Sequence, residues 1–303
     1  MNLRDLEYLV ALDEQRHFGK AAARCGVSQP TLSTQLRKLE TELGVDLVER
    51  SHRQVLLTSA GALVAARARV ILSQAADIRR IAAQAAEPAS GALRIGTFPT
   101  LAPYLLPHAV PLLHERFPQL ELLLVEERSG LLLDRLRAGS LDAALLALPV
   151  VDDLLQGETL FREEFVLAVP AGHRLAVGDA PVRADELADE PLLLLEEGHC
   201  LRDQALAFCE RAGSGERTGF QATSLETLRH MVGAGVGLTV LPELAVSHPV
   251  QPSPGVVLRR FADPAPHRDI ALIWRRSTAY PDLLHDIAAV LRDLPVPVLT
   301  PLG

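Results

Sequence analysis

The 303-residue chain is predicted to be a multidomain protein: a small all-α unit carrying a β-hairpin, one long helix, then a larger α/β region. Three observations predict this. Apolar residues recur at helical spacing through residues 1–57, a longer helical period runs through 58–87, and short apolar runs alternate with helical stretches from Gly91 onward. The length fits two or three domains. A hydrophobic fraction of 48% and a mean hydropathy of +0.17 exclude a disordered chain.

In the first unit, Leu3, Leu6, Leu9 and Val10 mark one helix, and residues 18–25 form an alanine-rich second one. Gly26-Val27-Ser28 makes a tight turn. Ser28 can cap the next helix through a backbone N–H, and Pro30 falls in the first turn, where its missing N–H costs little. Leu32, Leu36, Leu39 and Leu43 mark that helix's buried face. Residues 45–49 and 55–58 flank Ser51-His52-Arg53-Gln54 and read as a two-stranded wing. In the long helix, Val64, Ala68, Ile71, Ala75, Ile78, Ala82 and Ala85 alternate at spacings of four and three, with no glycine between them. That is a coiled-coil seam, which favours a partner helix and hence a dimer over packing against its own domain.

Beyond Gly91, residues 93–98, 120–125 and 142–148 read as buried strands separated by helices at 104–117 and 131–138. A second series has strands at 165–170, 192–195, 237–241 and 256–261, and the chain closes with a strand at 270–274 and a helix at 280–294. The alternation predicts parallel α/β layering.

Charge narrows the function classes. The net charge is −8, but residues 1–90 carry +2 and residues 91–303 carry −10. A uniformly basic nucleic-acid coat is excluded, so any DNA contact must come from a local patch in the first unit. Three cysteines exclude a disulfide-stapled scaffold. The start of the chain, with Arg4, Asp5 and Glu7, lacks the apolar run of a signal peptide, and Arg67, Arg69 and Asp77 interrupt the apolar segment near Val70 and Ile71. The expectation is a soluble cytoplasmic protein with no membrane partner.

The first unit has the pattern of a helix-turn-helix, whose second helix presents its first residues to base edges in the major groove. Ser28, Gln29, Pro30, Thr31, Ser33 and Gln35 lie on or beside that helix. Arg37, Lys38, Arg50 and Arg53 can neutralise phosphates. Spacing alone fits an ordinary helical hairpin equally well, because residues 1–60 hold eight basic and eight acidic residues.

The run from Phe18-Gly19-Lys20-Ala21-Ala22 through Val27-Ser28-Gln29-Pro30-Thr31-Leu32-Ser33 to Leu36-Arg37-Lys38-Leu39-Glu40 resembles the amino-terminal domain of LysR-type transcription regulators. Downstream, Thr223-Ser224-Leu225-Glu226-Thr227-Leu228-Arg229-His230-Met231-Val232, then Gly233-Ala234-Gly235-Val236-Gly237 and Leu241-Pro242, is similar to that family's effector domain. The resemblance implies a winged helix-turn-helix over residues 1–58 and a linker helix for dimerisation over 59–88. It also implies a periplasmic-binding-protein-like α/β effector domain over 91–303. That domain would have one subdomain of residues 91–163 and 268–303 and another of 164–267. It further implies double-stranded promoter DNA and RNA polymerase as partners, and self-association as a dimer of dimers. The glycines of 233–237 follow a helix and precede a strand, the reverse of a dinucleotide loop, and read as a helix terminator.

Residues 197–209 carry the second chemical signal. Cys200 follows the strand 192–195 at the head of a helical stretch, with His199 and Arg202 adjacent. A helix amino terminus and positive neighbours favour the thiolate. A lone cysteine is more often a small buried hydrophobe; here the two readings stand level, while Cys25 and Cys209 taken singly read as core. Nine helical residues rise about 13.5 Å, whereas a disulfide needs Cα atoms within about 7 Å. If 201–209 is helical, a bond between Cys200 and Cys209 therefore requires it to unwind. No CxxC pattern appears, and a spacing of nine is poor for zinc, so neither a metal nor a cofactor is expected.

Gly198-His199-Cys200-Leu201-Arg202-Asp203-Gln204 with Phe208-Cys209 is similar to the hydrogen peroxide-sensing members of the LysR family. The resemblance implies that Cys200 is the peroxidatic thiol, passing through a sulfenic acid, and Cys209 the resolving one. It gives His199 a role in positioning and Arg202 one in supporting charge. Thr100 would be a hydroxyl that binds peroxide, with Ser129 where a threonine is usual. A glutaredoxin or thioredoxin-like system would reverse the disulfide. Two other functions compete. One is a regulator responding to a small metabolite held among Thr100, Ser129 and Thr223. The other is a Cys–His peroxidase or hydrolase, ranked last because it leaves residues 1–87 unexplained, so the chain is expected not to be an enzyme.

Overall fold

A computed structural model of the chain describes residues 1–50, 55–86, 91–188, 190, 192–212 and 216–302. It forms two units, one built on Met1–Pro88 and the other on Ala89–Leu136 with Leu141–Gly303. Among the described residues, no helix is long and apolar enough to cross a membrane.

The first unit contains α1 (Leu3–Gln15), α2 (Phe18–Arg24), α3 (Gln29–Leu43), β1 (Val48–Arg50), β2 (Val55–Leu57) and α4 (Ser59–Ala86). Each helix start has a local cause. Asn2 and Asp5 form a reciprocal capping box on α1, His17 Nδ1 accepts the N–H groups of Gly19 and Lys20 on α2, and Ser28 Oγ accepts that of Thr31 on α3. Gly26, at φ +67°, makes the turn between α2 and α3. Leu9, Leu12, Leu32, Leu36 and Leu39 are fully buried between the three helices. Leu43, expected on the same face, is 38% exposed because the helix ends one residue later at Gly44. The buried Glu40 carboxylate accepts the N–H groups of Leu47 and Val48 at 3.0 and 3.1 Å, which ties the antiparallel hairpin β1–β2 to α3.

The hairpin is joined to α4 as closely as chemistry permits: a Cβ at Gly61 would stand 2.0 Å from the Leu47 carbonyl oxygen. The seam of α4 divides. Ala68 is buried within this unit, Asp13 of α1 pairs with Arg69 at 2.5 Å, and Ala65 joins the core. Ile71 and Ile78, by contrast, are 43% and 68% exposed. Ser73 and Asp77 further along are buried as well, so packing within the chain accounts for one face of the helix and leaves Ile71 and Ile78 outside it. The side chains of Ala82 and Ala85 lie outside the described residues.

The second unit contains β3 (Gly91–Thr97), α5 (Ala102–Arg116), β4 (Leu120–Glu126), α6 (Ser129–Arg137), β5 (Ala143–Ala147), β6 (Leu155–Pro170), β7 (Leu192–Leu195), α7 (Cys200–Ala212), β8 (Glu216–Ala222), α8 (Leu225–Gly233), β9 (Thr239–Pro242), β10 (Val256–Arg260), β11 (His267–Arg275), α9 (Pro281–Arg292) and β12 (Leu299–Pro301). The main sheet runs β10-β6-β11-β5-β3-β4. The expected parallel layering holds for β3 with β4 and β5, and for the separate pair β7–β8. In the rest of the main sheet the strands pair antiparallel, because β6 and β11 return directly across it. Two apolar cores result. One gathers Leu93, Leu105, Leu132, Leu145, Phe161, Trp274 and Ile287; the other gathers Leu167, Leu194, Leu201, Phe208, Leu228 and Phe261. The 16-residue strand β6 belongs to both, with Leu160 and Phe161 in the first and Phe165 to Val169 in the second.

Candidate functional site

In the first unit the exposed side of α3 carries Ser28, Gln29, Pro30, Thr31, Arg37 and Lys38, with Ser33 and Gln35 half-buried. Ser28 and Thr31 hydroxyls lie 2.8 Å apart, so both take part in the cap as well as facing outward. Arg50 stands on β1 with its side chain outside the described residues, and Arg53 lies wholly outside them. The basic residues expected to contact phosphate therefore comprise two that are described and exposed, Arg37 and Lys38.

In the second unit, the heads of three helices and two strands bring the remaining candidates together. Thr100 precedes α5 and is buried, Ser129 opens α6, and Cys200 opens α7 directly after the turn Glu196–His199 that leaves β7. Gly198 makes that turn at φ +91°, and a Cβ there would stand 3.2 Å from the Arg128 side chain. Arg128 reaches over the turn, pairing with Glu196 and donating to the Glu197 carbonyl oxygen at 3.3 Å.

Helix α7 faces both cores. Leu201, Ala205 and Phe208, spaced four and three, bury against the second core, where Phe208 meets Phe261 edge-on at 4.9 Å. Cys200, half-buried with a free thiol, packs against the first core. Cys209 lies within the same unbroken helix, its side chain outside the described residues.

The electrostatics correct one expectation. Burial pushes the Cys200 thiol above its ordinary pKa. Arg268, Ser129 and the Leu201 backbone N–H pull it down, and Asp203 raises it further. The flanking residues do not supply positive charge. Arg202 turns away and donates to the Leu195 carbonyl oxygen at 2.9 Å. His199 is buried, and its pKa is lowered, first by burial and then by Arg128, against Glu196 at 3.9 Å. The Ser129 hydroxyl is buried without a partner of full hydrogen-bond geometry, and the Cys200 sulfur is the group it acts on.

The cation beside the thiol is Arg268, which the sequence reading missed. Its side chain is fully shielded, with Nε 2.7 Å from Glu163 Oε2, and its two Nη atoms donate to Thr100 Oγ1 and Thr100 O, both at 3.0 Å. Accepting from Arg268 leaves the Thr100 hydroxyl hydrogen free to donate elsewhere. Strand period could have found both partners. Arg268 is in phase with the buried Ile270, Leu272 and Trp274, and Glu163 with Phe161 and Phe165. Thr223 is exposed. A cavity of about 900 Å³ is lined by Phe165, Gln204, Phe208, Phe261 and His267 among others, and its lining includes neither Cys200, Ser129, Thr100 nor Arg268. Among the described residues, no group of three or more His, Cys, Asp or Glu could hold a metal ion.

His199 gives a pH prediction. Its folded pKa lies below the ordinary 6.5, so on acidification the unfolded chain takes up a proton at this residue before the folded chain does. Stability is expected to fall as pH drops through 6.5 and to level off below the folded value. Urea unfolding of the parent and His199→Asn across that range checks this; an unchanged pH slope in the variant contradicts it.

Comparisons with known proteins agree with these features. The helix-turn-helix of bacterial regulatory proteins of the lysR family matches residues 3–62, and the LysR substrate binding domain matches residues 86–295. The DNA-binding transcriptional dual regulator OxyR of Escherichia coli K12 is 49% identical over 292 residues, covering 96% of this chain and 95% of that protein. A full-length OxyR from Pseudomonas aeruginosa with a cysteine-to-aspartate substitution superposes with a TM-score of 0.80 at 40% identity, covering 100% of this chain and 99% of that one. A hydrogen peroxide-bound cysteine-to-serine OxyR from Corynebacterium glutamicum gives 0.66 at 34% identity, over 96% and 91% of the two chains. With a helix-turn-helix at one end and an α/β effector unit at the other, the chain belongs to the LysR family of bacterial regulators, in the group that contains OxyR.

Proposed function

We propose that this regulator senses hydrogen peroxide through a reversible disulfide between Cys200 and Cys209, and that the resulting change in the effector unit alters promoter binding. One observation carries the reading. The Cys200 thiol is held at the head of an ordered helix, beside Ser129 and the Arg268–Thr100 pair, and Cys209 is nine residues away along that same helix. The relatives supply the chemical context, since one of them is described as bound to hydrogen peroxide.

The balance of the reaction is simple. The Cys200 thiol gives up its proton and the thiolate attacks one peroxide oxygen; the O–O bond breaks, a sulfenic acid forms, and the other oxygen leaves as hydroxide, which takes up that proton to become water. The Cys209 thiol then attacks the sulfenic sulfur, a second water departs, and one disulfide has been made for one peroxide consumed. Thr100 and Ser129 act as hydroxyls toward the peroxide or the thiolate, and His199 as a neutral neighbour. Arg202 acts by holding the end of β7 against α7, where its guanidinium donates to the Leu195 carbonyl oxygen. A dithiol reductant of the glutaredoxin or thioredoxin kind restores the thiols.

On this reading the working parts are residues 1–58 for DNA, 59–88 for dimerisation and 91–303 for sensing, the last with one subdomain of 91–163 and 268–303 and another of 164–267. Ser28, Gln29, Pro30, Thr31, Ser33 and Gln35 face bases, and Arg37, Lys38, Arg50 and Arg53 face phosphates. Exposed Ile71 and Ile78 on α4 support a dimer, and pairs of dimers present their recognition helices to pseudo-palindromic promoter DNA. The protein works in the cytoplasm with RNA polymerase, turns over no substrate as an enzyme and needs no cofactor.

Peptide mapping after one equivalent of peroxide tests the switch. A Cys200–Cys209 cross-linked peptide is expected in near-complete yield; oxidised Cys200 recovered without Cys209 refutes the intramolecular disulfide.

A further inference from the structure

Glu163 and Arg268 stand directly opposite each other where β6 pairs with β11. Glu163 lies at the point where β6 passes from one core to the other, and both side chains are wholly shielded. A buried carboxylate is costly unless its oxygens are engaged, and here both are. Oε2 accepts Arg268 Nε at 2.7 Å, and Oε1 accepts the Leu244 N–H at 3.0 Å. The two Nη atoms of the guanidinium are spent on Thr100, and the rings of Phe98 and Phe165 flank it at 5.2 and 6.0 Å. A planar fork anchored on three sides has one orientation.

We propose that Glu163 is a positioning residue of the thiol site: it fixes the Arg268 guanidinium toward Thr100 and offsets that cation's field at the Cys200 sulfur. This rests on reading Cys200 as the reactive thiol. An unpaired guanidinium in a low-dielectric interior would stabilise a neighbouring thiolate strongly; paired with a carboxylate it acts as a dipole, whose field falls off faster. The groups that act on this sulfur are Arg268 on β11, Ser129 on α6, and Asp203 and the Leu201 backbone N–H on α7. His199 precedes it in the chain, and Glu163 on β6 works through Arg268.

The test is the pH dependence of Cys200 alkylation by iodoacetamide in the reduced full-length protein, read by peptide mass spectrometry so that Cys25 and Cys209 are scored separately. In Glu163→Gln the side-chain shape is kept and the charge removed. The alkylation midpoint is expected to fall by about one pH unit, a roughly tenfold gain in thiolate below the midpoint. A merely structural role lowers the melting temperature and leaves the midpoint in place, which overturns the proposal. Arg268→Gln and the double variant complete a cycle. Because Glu163 acts through Arg268, these two are expected to share one midpoint, and a difference between them also overturns it. That comparison stands if Glu163→Gln alone proves too unstable to purify. None of these readouts needs peroxide, so they judge Glu163 independently of whether Cys200 and Cys209 form a disulfide.

Discussion

Cys200→Ser is expected to bind promoter DNA with the footprint of the reduced parent and to keep that footprint unchanged after peroxide, while the parent's footprint alters. Serine fills nearly the same volume at the head of α7, so Leu201, Ala205 and Phe208 still seat the helix on its core. Stability is therefore expected to change by less than about 1 kcal/mol. The chemical loss is complete, because a serine hydroxyl neither ionises near neutral pH nor reduces peroxide. Footprinting with and without peroxide checks both halves of the expectation, and equal peroxide responses in variant and parent refute the role given to Cys200.

The second large effect is on stability. Arg268→Leu leaves the Glu163 carboxylate in a shielded interior with one backbone N–H from Leu244 as its remaining described partner. Removing one partner of a buried ion pair costs about 3–5 kcal/mol, which for a unit of this size lowers the melting temperature by roughly 10 °C. Thr100 loses both of the donors that hold its hydroxyl and its carbonyl oxygen. The thiol is expected to titrate higher once the cation is gone, since Arg268 is the foremost group lowering it. Urea and thermal unfolding measure the first effect and alkylation midpoints the second. A loss below about 1 kcal/mol shows that the pair is not a main brace between the two cores.

Much of this molecule was legible in its sequence, and the reasons are local. Ser28, Pro30 and the leucines at 32, 36 and 39 specify the start and the buried face of α3 without outside help. The run of four leucines in β7 and the helix beginning at Cys200 stand where the apolar pattern puts them. What was not legible depends on tertiary context. β8 is Glu-Arg-Thr-Gly-Phe-Gln-Ala, too polar to be recognised as a strand, and it exists because β7 offers it a parallel partner. β6 extends ten residues ahead of the expected 165, through a polar stretch whose backbone is paired by β11.

The site shows the same division. Cys200, Ser129 and Thr100 were identified from motif resemblance, and their three helix heads meet in one unit. Their charge environment was misread because sequence neighbours were taken for spatial ones. His199 and Arg202 adjoin Cys200 along the chain, yet one has its pKa lowered and the other is committed to Leu195. The cation that does act comes from 68 positions downstream of Cys200, on a strand whose inward phase hides a charge among Ile270, Leu272 and Trp274.

If Cys200 and Cys209 form the proposed disulfide, the way α7 is seated also sets a clock. Leu201 and Phe208 each contribute about 1.5–3 kcal/mol of burial, and the segment between the two sulfurs has to open against that cost. After peroxide has struck, the oxidised sulfur must outlast the wait for that opening, and a second peroxide arriving first would carry it on to the sulfinic acid. On that mechanism, a tighter grip by these two apolar side chains would lower the oxidant burst the molecule survives as a sensor, with no change at the reacting atoms.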